Sequence, residues 1–175
     1  MALRSFAAGI LGAHPGELAA AYSCPDCGSG PDIDHGRPGY RLHGAAAGLI
    51  LSLSRSCGWA LLAAGVPGNP GTAVGIDLEH RSGIGFEGFD DVALTPAERQ
   101  LLAAVPAGRA SLWRAAAWTR KEALLKARGS GLRVDPASVN VFAESVNGTV
   151  LVGLDTVALG LPAGFVAALA VLGGA

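Results

Sequence analysis

Residues 72–76 form an apolar run, and two carboxylates two positions apart, Asp77 and Glu79, come directly after it. This stretch limits the architecture more than any other. The run reads as a buried strand. In a strand, residues i and i+2 point to the same face, so Asp77 and Glu79 project side by side while Ile76 and Leu78 enter the core. Two carboxylates on one face repel each other unless a cation or base lies between them. A hard divalent ion such as Mg²⁺ meets that need, because it takes one or two carboxylates plus water and phosphate oxygens. Alone, the pentapeptide Gly75 to Glu79 allows two readings, a solvated strand end or half of a metal site.

The size of the chain limits what can surround this strand. At 175 residues, half of them hydrophobic, it suits one domain or two small lobes sharing a core. Charged residues are 15% and the formal net charge is −1, which gives no electrostatic case for nucleic acid. The 26 glycines imply many turns and close-packed elements. The short apolar run at 6–13 is helical in period and ends at His14, Pro15 and Gly16, so a short helix is expected there and not a leader peptide. With three cysteines, an odd number, a reducing cytoplasm is expected. Residues 156–175 carry no charge, but Gly160, Pro162 and Gly164 cut them into strand-length pieces. Two core strands around a turn are expected there, not a membrane span.

In chain order, residues 3–11 predict an amphipathic helix, with 17–22 as a further turn, and 23–39 a loop. Residues 49–54 and 59–64 predict a hairpin with a polar corner at Ser56, Cys57 and Gly58. After the 72–79 strand comes a glycine-rich loop, 82–91. Thr95, Pro96 and Glu98 then supply an N-cap, a first helical position and a capping box. A longer helix is expected over 110–128, closed by Gly129. Residues 139–144, 150–155 and 165–172 predict closing strands. The order is α+β with no regular βαβ repeat.

The long helix carries Trp118, Lys121, Glu122, Ala123 and Lys126. Glu122 and Lys126 share a face at i,i+4, which suits either an ordinary surface ion pair or a third carboxylate beside phosphate-binding lysines. A strand ending in Asp-x-Glu, followed by Trp-x-x-Lys-Glu-Ala-x-x-Lys-x-x-Gly, resembles the signature of the 4′-phosphopantetheinyl transferase superfamily. Three further pieces resemble family elements in the same order. They are Leu53-Ser54-Arg55-Ser56 before Trp59, Gly36-Arg37-Pro38, and the Cys24-Pro25-Asp26-Cys27-Gly28 loop.

The resemblance is to the larger, two-lobed class typified by the surfactin-synthetase activator. It implies an α+β pseudo-twofold pair of lobes with antiparallel sheets. The lobes would be residues 1–71, shortened relative to the family so that the first lobe is incomplete, and residues 72–175, with the active site between them. The implied activity is that of a holo-[acyl-carrier-protein] synthase. It is Mg²⁺-dependent transfer of the phosphopantetheine arm of coenzyme A to a serine of an apo acyl or peptidyl carrier protein, with release of 3′,5′-ADP. Mn²⁺ is an alternative ion. By resemblance, Asp77, Glu79 and Glu122 hold the metal, and Glu122 and Lys126 are catalytic. Arg37, Pro38, Ser54, Arg55, Lys121 and Lys126 contact coenzyme A. The implied partners include no nucleic acid and no membrane, and the implied state is a monomer, or a dimer formed through the incomplete lobe.

One departure stands out: Arg55 occupies a position where the family usually has histidine. Arginine keeps the positive charge and can grip phosphate bidentately, but it does not titrate near neutral pH. It motivates the alternative reading, an impaired homologue that binds coenzyme A or a carrier protein. Among other motifs, Cys24, Cys27 and His35 offer three of the four ligands that a structural zinc site needs, with Cys57 and His43 remote. Gly83-x-Gly85-x-x-Gly88 matches a dinucleotide fingerprint in form only, since no helix follows directly.

Overall fold

The computed structural model describes residues 2–30, 32–69, 71–142 and 148–173 of the chain. The chain opens with helix α1 (Ala2–Leu11) and a 3₁₀ turn at Pro15–Glu17. Five short strands follow: β1 (Leu18–Ala20), β2 (Tyr22–Cys24), β3 (Gly28–Gly30), β4 (Tyr40–Leu42) and β5 (Ala45–Ala46). Strands β6 (Ile50–Ser56) and β7 (Trp59–Gly65) form the expected hairpin, with Ser56 paired to Trp59. Its corner residues, Cys57 (φ 46°) and Gly58 (φ 80°), are both left-handed, the backbone that a two-residue hairpin turn requires.

Strand β8 (Ala73–His80) matches the predicted strand, with Ile76 and Leu78 almost fully buried. Helices α2 (Phe89–Ala93), α3 (Pro96–Ala103) and α4 (Ala107–Arg128) follow. Strands β9 (Thr149–Leu154) and β10 (Phe165–Leu172) close the fold. β10 lies between β8 and β9, antiparallel to both. No helix among the described residues is long and apolar enough to cross a membrane. The architecture is mixed α+β, with several antiparallel sheets.

The cores are laid out unevenly along the chain. Leu3, Ala7 and Ala8 of α1 pack with Leu18, Tyr40 and Leu51, a cluster drawn wholly from residues before 72. Ala123, Leu124, Leu125 and Ala127 of α4 pack on Ala168 and Ala170 of β10. No backbone ladder joins β6 to β8. Instead, serines at alternate positions of β6 reach across. Ser52 Oγ accepts from the Ile76 N–H at 3.0 Å, and Ser56 Oγ accepts from the His80 N–H at 3.3 Å. The same 24-residue offset in both bonds means that the two strands run parallel. Each such bond contributes about 0.5–1.5 kcal/mol.

Five expectations need correction. Residues 156–173 hold one strand, β10, and not two, because Asp155 Oδ1 accepts from the Val157 and Ala158 N–H groups and caps a turn there. Residues 18–20 are a strand, not a helical turn, because Leu18 is buried in the first core and pairs with Leu42. The 23–39 loop contains the β2–β3 hairpin. The 82–91 loop contains a 3₁₀ turn, Arg81–Gly83, and the start of α2, whose Phe89 buries in a core with Leu94 and Leu102. The expected strand at 139–144 is irregular over residues 139–142, and its last two residues lie outside the described residues. Its polar backbone is satisfied by side chains instead of a strand. The Val141 N–H donates to Glu98 Oε1 at 2.9 Å, and the Val139 carbonyl accepts from Lys121 Nζ at 2.6 Å.

Candidate active site

Three elements converge on one cavity. β8 supplies Asp77 and Glu79, β6 supplies Leu53, Ser54 and Arg55, and α4 supplies Trp118, Glu122 and Lys126. The α4 residues recur every four positions and therefore share one face. Gly75 sets how closely the helix approaches. A Cβ at that position would overlap the Ala123 carbonyl oxygen and crowd the Ala127 amide, so only glycine lets α4 press onto β8 here. The close approach brings Lys126 Nζ to 2.6 Å from Asp77 Oδ1.

The cavity measures about 370 Å³. Asp77 is 2% exposed. Its Oδ1 accepts from Ser54 Oγ at 2.7 Å and from Lys126 Nζ at 2.6 Å, whereas Oδ2 is buried with no hydrogen-bond partner. Glu79 Oε2 accepts from Ser56 Oγ at 3.1 Å. Burial, and then the charge of Asp77, push the carboxyls of Glu79 and Glu122 above the ordinary range. A buried carboxylate oxygen without a partner, among acids that resist ionisation, is a donor set short of a cation. All three acids offer hard oxygens, so the residues fit Mg²⁺ or Mn²⁺.

A larger cleft of about 820 Å³ adjoins this cavity, and Leu53, Arg55 and Lys126 border both spaces. Arg37, Pro38, Arg128 and Arg133 line it as well. Arg37 Nη2 donates to the Ala127 carbonyl at 2.9 Å, which ties the 36–38 segment to the end of α4. That helix stops at Gly129 (φ 70°), as the sequence predicts.

Of the expected site residues, Asp77, Glu79, Glu122, Lys126, Ser54 and Arg55 line the cavity, and Arg37 and Pro38 line the cleft. Lys121 reaches neither and is corrected as a coenzyme A contact. Its side chain is fully buried, 2.6 Å from Glu98 Oε2, and donates to the Pro136 and Val139 carbonyls. Ser56, Trp118 and Arg133 were not anticipated at the site. The period-two serines of β6 and the four-residue spacing of Trp118, Glu122 and Lys126 carry the signal for the first two.

Residues 73–159, the segment that holds Asp77, Glu79 and the whole of α4, match the family model of the 4′-phosphopantetheinyl transferase superfamily, and the chain belongs to that superfamily. The match supports phosphopantetheine transfer in general, in a family that uses coenzyme A and a divalent metal. No curated protein matches the chain.

Proposed function

We propose that the protein transfers the 4′-phosphopantetheine arm of coenzyme A to a serine of an apo acyl or peptidyl carrier protein, as a member of the larger, two-lobed class. The first core, built from residues before 72, supports the class assignment. The observation that carries the activity is the bare Oδ2 of Asp77, which lies in a cavity shared with Glu79 and Glu122 and beside a cationic cleft.

Asp77, Glu79 and Glu122 would hold Mg²⁺. When bound, the ion would neutralise charge on the pyrophosphate oxygens and the leaving group. Arg37, Arg55, Arg128 and Arg133 suit the phosphates and nucleotide end of coenzyme A, because guanidinium forks grip phosphate bidentately. Lys126 borders both spaces and holds Asp77 in place through Oδ1. The serine Oγ bonds to the phosphorus that carries pantetheine, and the P–O bond to 3′,5′-ADP breaks, with the electron pair leaving on ADP. The serine proton passes to Glu122, the carboxylate that α4 presents to the cavity. Phosphoryl transfer of this kind needs positioning and charge neutralisation more than covalent help.

The test is incubation with coenzyme A, Mg²⁺ and several apo carrier proteins, read by intact mass. Gain of the arm is expected with the wild type, and its loss with Asp77→Ala. No addition to any carrier while coenzyme A still binds would leave the protein a binding module and overturn the enzyme reading.

A further inference from the structure

We propose that Cys24, Cys27 and His35 bind a zinc ion beside the cleft, separate from the carboxylate cavity. Their ligand atoms all lie within 4.8 Å of one another, the only such group of three or more among the described residues. A tetrahedral Zn²⁺ with sulfur at 2.3 Å sets sulfurs about 3.8 Å apart, so a small contraction closes the site.

The local fold builds this cluster by design of the backbone. β2 and β3 form a hairpin whose turn holds Pro25, Asp26 and Cys27 and ends at Gly28 (φ 84°). His35 arrives from the next segment. Ser23 and Arg37 exchange two backbone hydrogen bonds, of 3.0 and 2.8 Å. Gly36 (φ 81°) makes that contact feasible, because a Cβ there would overlap the Ser23 carbonyl oxygen. His35 Nδ1 lies 3.2 Å from Asp34 Oδ1, which leaves Nε2 for the metal. A carboxylate on the second ring nitrogen is the usual support of a zinc-bound histidine.

A metal also answers a stability need. β2 and β3 have three residues each, and only Cys24 among them is buried. Such a hairpin is marginal by itself. Its side-chain tie to the segment after α4, Asp26 to Arg133 at 3.1 Å, is an exposed ion pair of little worth. Two sulfurs and an imidazole select zinc over Mg²⁺, which prefers oxygen. All three ligands border the cleft, so the fourth position would be open to water from it. The ion would pin the segment that runs directly into Arg37 and Pro38, and so brace one wall of the cleft.

The experiment titrates the full chain, reduced and metal-free, with Co²⁺ and then Zn²⁺. The sulfur-to-cobalt charge transfer and tetrahedral d–d absorption should saturate at about one equivalent of Co²⁺, and zinc should displace it. Cys27→Ser should abolish that spectrum. Asp34→Asn, which leaves every ligand in place, should weaken Co²⁺ binding about 10–100-fold. Cys57→Ser and Asp77→Asn should leave the thiolate-to-cobalt band unchanged. No thiolate-to-cobalt band in the wild type, or the same loss with Cys57→Ser as with Cys27→Ser, would overturn the proposal. The readout does not use transfer activity, so it stands apart from the proposed reaction.

Discussion

α4 carries two lysines five residues apart, and each sits 2.6 Å from a carboxylate oxygen. The two pairs differ in what remains unsatisfied. Lys121 and Glu98 are fully sealed from solvent. The Lys121 ammonium has three donors and three acceptors, Glu98 and the carbonyls of Pro136 and Val139. Both Glu98 oxygens are also used, Oε2 by the Thr95 N–H and Oε1 by the Val141 N–H. In the second pair, Lys126 is 30% exposed and Asp77 keeps one buried oxygen bare. A saturated pair of this kind holds backbone in place. An unsaturated one at a cavity wall is poised for a ligand. Position on the same helix, equal distance and like chemistry do not distinguish the two roles, and hydrogen-bond saturation does.

Breaking the saturated pair should produce the largest change in stability. Lys121→Met leaves Glu98 buried with an unpaired charge and should cost about 3–5 kcal/mol of unfolding free energy. Chemical denaturation measures it, and transfer per folded molecule should hold. A raised KM for coenzyme A with unchanged stability would return Lys121 to the cleft.

Gly75→Ala sharpens the comparison from the strand side. Its Cβ would force α4 away from β8, at a cost of about 1–3 kcal/mol. Because the collision is with backbone, the Lys126–Asp77 contact should lengthen as well, so transfer should fall more than stability. Loss of stability with full activity would show that the cavity does not depend on this close approach.

Much of this was legible in the sequence where the cause is local. The Asp77/Glu79 strand, the Thr95–Glu98 capping box and the helix stop at Gly129 each follow from adjacent residues. The short strands β1 to β5 were not legible, because two or three residues carry no period and their partners are distant. Residues 139–142 alternate like a strand, yet Glu98 and Lys121 do the work of a partner strand there. Lys121 faces Glu98 and not the site. One residue turns a helix by about 100°, so a lysine adjacent to Glu122 cannot share its face, whereas Lys126 at i+4 does.

A smaller effect concerns pH. Burial and Asp77 raise the Glu122 carboxyl above its ordinary value near 4.5. The folded state therefore holds that proton more tightly than the unfolded chain. Metal-free protein should lose stability as pH climbs from about that value through the raised one. Glu122→Gln has no proton to lose, so its thermal midpoint should match the wild type at pH 4 and exceed it at pH 7. Identical pH profiles for the two proteins would show that Glu122 is not strained by the cavity.

The bare oxygen of Asp77 is the centre of this account, and Mn²⁺ binding tests it most directly. Electron paramagnetic resonance of free Mn²⁺, titrated with wild-type protein and with Asp77→Asn in the presence of coenzyme A, reads occupancy without turnover. The account predicts that the wild type removes the free-ion signal and that the variant does not, while both remain folded. Equal Mn²⁺ uptake by the two proteins would contradict it.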